Sequence, residues 1–222
     1  MSTTTPKLAQ TRARFEEVRK AQEAFIQSLP SLEVRSGKKY HALDAKQRET
    51  FCEMAFVVLF TAWEQFLESS FENYVVEAPL SSFRNRHRVL VMDLETAHDL
   101  IRGSRRYVEW AEPQVVRERA GVFFKRGEPF ESALNAVTDD LVKMKIIRNR
   151  CVHFSQHAIG QYEEMLRKVY GSRRRMTPGR LLMDAPTSGL STVQNAMTYQ
   201  NAYTLYSEIL ATAVDQIVPK KN

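Results

Sequence analysis

Arg148, Asn149, Arg150 and His153 stand within six residues of one another. Together they supply the side-chain types that metal-free cleavage of an RNA phosphodiester requires. A base must take the proton of the ribose 2′-OH, and an acid must protonate the leaving 5′-oxygen. Histidine suits both steps because its unperturbed pKa lies near neutrality. Charge on the phosphorus oxygens needs a fixed cation, and the planar guanidinium of arginine binds two oxygens while staying charged. Asparagine can donate to phosphate or fix a histidine tautomer. The same residues also have plain structural uses. A histidine near a helix end serves as a hydrogen-bonding group, and an Arg-Asn pair there can close the helix.

The cluster is carried by an apolar repeat. Leu134, Val137, Leu141, Met144 and Ile147 recur in steps of three and four, the spacing of one helical stripe. The spacing predicts a helix over 128–150, with Pro129 at its start. In a continuous helix Asn149 and His153 share a face, whereas Arg148 and His153 are roughly 140° apart round the axis. Those two converge only if Arg148 reaches round, if the helix bends near Cys151, or if two chains meet.

Arg148-Asn149-Arg150-Cys151-Val152-His153 resembles the R-x4-H signature of the HEPN (higher eukaryotes and prokaryotes nucleotide-binding) superfamily. Ala62-Trp63-Glu64-Gln65-Phe66-Leu67-Glu68 is similar to the second core helix of that family, and the resemblance extends as a pattern over about 45–218. It implies an all-α helical bundle and a metal-independent endoribonuclease. In such an enzyme two motifs face one another across a homodimer cleft, and the products are a 2′,3′-cyclic phosphate and a 5′-hydroxyl. It also implies a toxin or defence setting, with an antitoxin or defence protein as a partner. Arg148, Asn149, His153 and Glu64 are the catalytic candidates. The alternative is a non-catalytic RNA-binding or protein-docking helical domain.

Composition agrees with a helical fold. Eight Gly and eight Pro in 222 residues leave turns sparse, which favours long helices over many strands. The net charge of +6 and a pI near 9.4 point to an anionic partner, here RNA. Cys52 and Cys151 are too few for a disulfide framework, which suits reduced thiols in a cytoplasmic protein. The first residues show no apolar run after their charges, so no signal peptide is expected. The apolar run Ala55–Phe60 is far short of a bilayer span, so no membrane association is expected. Walker, G-x-G-x-x-G, H-E-x-x-H, C-x-x-C and G-x-S-x-G motifs are absent. His153 and His157 have metal-binding spacing, yet no further ligand motif accompanies them. Neither a metal nor a cofactor is expected.

Along the chain, one helical domain is expected over 1–222. Residues 6–29 read as an N-terminal helix and 30–43 as a connector in which Lys38, Lys39 and His41 could touch a polyanion. A central helix follows over 45–77, capped by Asp44, ended by Pro79 and apolar nearly all round, with Glu64 and Glu68 interrupting it. An inward Glu64 would need a cation, and Arg148 is the natural one. Residues 80–127 form a basic helical and loop insert. Between 84 and 126 there are ten Lys/Arg against six Asp/Glu, including the run Arg84, Arg86, His87, Arg88. Its aromatics Tyr107, Trp110, Phe123 and Phe124 read as core anchors in preference to base-stacking platforms. Short helices are expected over 93–102 and 114–124, and another over 154–170. Residues 171–190 then read as a long Arg-rich loop. Arg150, Arg173, Arg174, Arg175 and Arg180 are the RNA-contact candidates. Ser191 is expected to cap a last helix over 192–217.

Overall fold

The computed structural model describes residues 6–37, 39–76, 89, 91, 93–104 and 106–220. The run Arg84–Arg88, Lys38, Arg105 and the helix stop at Pro79 lie outside these residues. The fold is all-α, with 72% of residues helical against 4% in strands. Nine α-helices stand among the described residues: α1 (Pro6–Ser28), α2 (Ala45–Val76), α3 (Leu94–Arg102), α4 (Pro113–Phe123), α5 (Phe130–Asn135), α6 (Thr138–Val152), α7 (Gln156–Tyr170), α8 (Pro178–Met183) and α9 (Ala202–Ile217).

Helix starts follow local chemistry. Asp44 and Gln47 form a reciprocal capping box at α2, each side chain accepting from the other's backbone N–H at 2.8 and 3.0 Å. The side chains of Asp93, Ser155 and Thr177 cap α3, α7 and α8 by accepting from the backbone N–H three residues on. Gly171 ends α7 in the left-handed conformation that favours glycine.

Four expectations need correction. The helix expected over 128–150 is two helices, α5 and α6, broken at Ala136–Val137. There the Thr138 hydroxyl donates to the Leu134 carbonyl at 2.8 Å, competing for the acceptor that a continuous ladder would use. The last helix begins at Ala202, not 192. Asn195 adopts φ 62 ahead of a 3-10 turn over Ala196–Thr198, and Asn201 is the residue that caps α9. The 30–43 connector contains an antiparallel hairpin, β1 (Glu33–Ser36) and β2 (Lys39–Ala42). The Arg-rich stretch 171–190 is interrupted by α8.

The chain divides into two compact units. The first comprises Met1–Glu16, Ala62–Val142 and Ile209–Asn222. Its aromatic centre is Phe71, with ring centroids of Trp110, Phe123, Phe124 and Phe130 at 5.6, 5.7, 5.1 and 4.9 Å. Trp110, Phe123 and Phe124 are thus core anchors as expected, while Tyr107 is 70% exposed. Phe15 packs on Trp63 and Phe66. Arg12 pairs with Asp215 and donates to the Val218 carbonyl at 3.0 Å, and the Tyr74 hydroxyl donates to the Ile217 carbonyl at 2.6 Å.

The second unit comprises Glu17–Thr61 and Lys143–Glu208. Phe56 packs against Tyr203 and Tyr206 at 6.3 and 6.1 Å, and Phe25 against Phe51 at 6.0 Å. Arg19 donates to both Glu23 and Glu208 at 2.8 and 2.9 Å. By length and composition α2 could cross a membrane. Its large apolar side chains, however, are spent on the core, with Phe56, Leu59, Phe60, Trp63, Phe66, Leu67 and Phe71 all buried.

Helix α8 lies directly against the backbone of α2. A Cβ on Gly179 would overlap the Glu49 carbonyl, so only glycine fits this approach. Gly179→Ala is expected to cost about 1–3 kcal/mol, the usual penalty of overpacking. Urea denaturation would show a lower midpoint at unchanged slope; an unchanged midpoint would refute the close approach.

Candidate functional site

The motif residues of the second unit stand at the C-terminal end of α6. Met144 and Ile147 are fully buried and anchor that end. Asp139 and Asp140 in the first turn and Arg150 in the last complement the helix dipole. The helix ends at Val152, and the His153 backbone N–H still donates to the Asn149 carbonyl at 2.8 Å. His153 and Phe154 then form the short link that leads to Ser155, the cap of α7.

The structure pairs one motif residue with another and a second with the residue just beyond the motif. Arg148 is half-buried; its Nη1 donates to Asn149 Oδ1 at 2.9 Å and its guanidinium lies 5.6 Å from the Phe60 ring centroid. Arg150 lies 5.3 Å from the ring centroid of Phe154, a side chain that is 77% exposed. His153 is exposed, and its imidazole makes no hydrogen bond or ion pair among the described residues. Of the three routes to convergence, a bend at Cys151 does not occur, because the helix runs to Val152. His157 belongs to the first turn of α7, so His153 and His157 do not share one helix face, and their metal spacing is lost. Glu64 is half-buried and belongs to the first unit, whereas Arg148 belongs to the second.

The remaining arginine candidates do not form one bare cationic patch. Arg173 is 3.6 Å from Glu163, Arg174 lies over the Tyr170 ring at 4.3 Å, and Arg180 pairs with Asp184 at 2.9 Å. Arg173, Arg174 and Arg175 are all exposed on the link between α7 and α8. Solvent-screened pairs of this kind contribute little to stability and can be exchanged for a phosphate.

Beside the motif lies a cavity of about 620 Å³ that the sequence reading did not anticipate. Arg150, Cys151, Val152 and Phe154 form one wall, and Glu49, Glu53 and Met54 of α2 form another. Glu53 Oε1 accepts the Gly179 N–H at 2.8 Å, and Glu49 Oε2 accepts the Thr177 hydroxyl at 2.8 Å. Burial pushes the Glu53 carboxyl above its ordinary range and the like charge of Glu49 adds to this; the Gly179 N–H and Arg150 oppose it. Burial pushes the Cys52 thiol up to about 12 and raises that of Cys151 too, so neither is an activated nucleophile at neutral pH. The signal for Glu53 was present: Glu49 and Glu53 are two carboxylates one turn apart on a helix that is otherwise rich in buried apolar residues.

No protein-family model matches the chain, and neither the curated proteins nor the solved structures provide a match.

The raised Glu53 carboxyl has a pH consequence. A carboxyl whose folded pKa lies above its unfolded value favours folding below the unfolded pKa, and that contribution is lost as pH rises through the folded pKa. Glu53→Gln keeps an oxygen for the Gly179 N–H and removes the charge. Relative to the parent, the variant is expected to gain stability between pH 4 and pH 7. Thermal melts at both pH values measure this, and equal gaps between parent and variant at the two would contradict it.

Proposed function

We propose that this chain is a metal-independent endoribonuclease of the HEPN type, acting as a homodimer in the cytoplasm in a toxin or defence setting. The observation that carries the reading is the end of α6. A hydrogen-bonded Arg148–Asn149 pair is held on a buried stripe, and an exposed His153 follows one turn beyond Asn149. Rigid support of this kind is what phosphodiester chemistry needs from its scaffold.

In the proposed reaction one His153 takes the 2′-OH proton as the 2′-oxygen attacks phosphorus. The bond from phosphorus to the 5′-oxygen breaks, and His153 of the partner subunit, as imidazolium, delivers a proton to that oxygen. The products are a 2′,3′-cyclic phosphate and a 5′-hydroxyl. Arg148 offsets charge on the phosphorus oxygens, and Asn149 orients the phosphate or the imidazole. Arg150 and the exposed Arg173, Arg174, Arg175 and Arg180 follow the RNA backbone. The motif offers a single histidine per chain, so acid and base together call for two copies, and closed two-fold dimers are the commonest oligomers.

An exposed apolar patch beside the motif favours apposition of two surfaces there. Phe154 is 77% exposed, Met54 58%, Val58 44% and Val152 41%. The same patch supports the second reading, a docking module that binds an antitoxin or defence protein and cleaves nothing.

His153→Ala is expected to lower cleavage by about 10²–10⁴-fold and leave RNA affinity nearly intact. Arg148→Ala should weaken both cleavage and binding, since its charge acts in the ground state and more strongly in the transition state. Single-turnover cleavage in EDTA, alongside filter binding, measures both. A parent protein that leaves every RNA intact until a divalent metal is added would overturn the mechanism. No cleavage under any condition, with light scattering showing a monomer, would favour the docking module.

The triple replacement of Arg173, Arg174 and Arg175 by Ala should flatten the salt dependence of RNA binding, because each lost phosphate contact releases fewer counterions. Titrations at several salt concentrations read the slope directly. An unchanged slope would remove these residues from the interface.

A further inference from the structure

Among the described residues, one group places three metal-ligating side chains at a common point: Glu68 and Glu72 of α2 and His98 of α3. One donor atom from each lies within 4.8 Å of the others. The three come from two helices of the first unit and line a single pocket of about 90 Å³ with Ile101, Arg106 and Trp110. We propose that Glu68, Glu72 and His98 form a binding site for one divalent transition-metal ion of the zinc class.

The donor chemistry fits that class. Two carboxylate oxygens and one imidazole nitrogen are ordinary ligands for zinc, and three protein ligands leave a position for water. Calcium and magnesium prefer oxygen ligands alone, which the imidazole argues against. Glu68 and Glu72 stand one helical turn apart on the same face, so their spacing is set by α2 itself. His98 is brought across by α3, a short helix capped by Asp93 and closed at Gly103.

A hydrogen bond from outside the donor set and the charge of the donor set itself support the site. The indole N–H of buried Trp110 donates to Glu68 Oε1 at 3.0 Å, which orients that carboxylate as outer partners of metal ligands do. The Glu68 and Glu72 carboxylates are both half-buried, with a donor oxygen of each within 4.8 Å of the other. Two half-buried carboxylates held together in this way repel one another, and a dication relieves the repulsion. Arg102 is engaged elsewhere, donating to Asp99 at 2.8 Å. Arg106 lines the pocket and is the cation that competes with a metal for this role. The bound ion would clip α3 to α2. It serves no step of the proposed RNA cleavage, in which none of its three ligands takes part, so the two readings stand or fall separately.

The test uses the full chain stripped of metal and titrated with Zn²⁺ by calorimetry, with melting temperature measured in parallel. One Zn²⁺ per chain and a melting temperature that rises with Zn²⁺ concentration are expected. His98→Ala and Glu72→Gln should each weaken Zn²⁺ binding by at least about tenfold, the lower end of what losing even an outer partner costs. Both positions are at least partly exposed, so the metal-free melting temperatures should stay close to that of the parent. Substituted Co²⁺ should give the weak visible bands of a nitrogen and oxygen set. Absence of Zn²⁺ binding, or binding that survives the Glu72→Gln/His98→Ala pair, overturns the proposal. So does an intense thiolate charge-transfer band from Co²⁺, which would place the ion on a cysteine. A parent that ignores Zn²⁺ but loses metal-free stability in His98→Ala would leave a Glu72–His98 ion pair in place of the site.

Discussion

Helix α2 has to bury a broad apolar face, and much of the structure answers that demand. It supplies each unit with an aromatic centre: Phe71 in the first, among four rings, and Phe56 in the second, against Tyr203 and Tyr206. Each such side chain contributes roughly 1.5–3 kcal/mol when fully buried. A face of this composition cannot stand at a surface, so shorter elements cover it, while Met54 and Val58 on another side of the helix stay exposed.

The polar interruptions of α2 decide how that covering is registered. Carboxylates on a largely buried helix need donors, because an unpartnered buried charge is expensive. Glu49 takes the Thr177 hydroxyl and Glu53 the Gly179 N–H, which pins the start of α8 to α2 in the second unit. Glu68 takes the Trp110 indole in the first. These bonds are worth little net individually, yet a slip of one residue would strand the carboxylate, so they select one arrangement. Both cavities discussed above adjoin these points. A carboxylate that interrupts an apolar helix creates the local polarity from which a ligand site can be built.

Function, on the reading favoured here, sits at the end of the helix and not in its middle. The stripe Leu141, Met144 and Ile147 is fully consumed by packing, and the last turn of α6 carries Arg148, Asn149 and Arg150, all half-buried. The next residue after the helix is an exposed histidine, followed by a phenylalanine with most of its surface in water. An exposed aromatic beside a solvated histidine is poor use of a monomer's surface and good use of an interface.

The amino-acid sequence by itself determined what depends on local periodicity and composition. The long helices α1 and α2, the cap at Asp44, the short helix from Asp93, the burial of Trp110, Phe123 and Phe124, and the placement of Arg148 to His153 at a helix end were all legible. Each follows from spacing or from a side chain acting on its own backbone. Tertiary structure decided the rest. The break between α5 and α6, the hairpin at 33–42, the late start of α9 at Ala202 and the insertion of α8 depend on competing hydrogen bonds and close approaches that no periodicity encodes. The 620 Å³ cavity and the meeting of Glu68, Glu72 and His98 join residues far apart in the chain. Glu68 and Glu72 could be seen as neighbours one turn apart, but His98 comes from another helix. Its arrival beside them is a property of packing, because only burial of the apolar faces of α2 and α3 fixes which polar groups are left side by side.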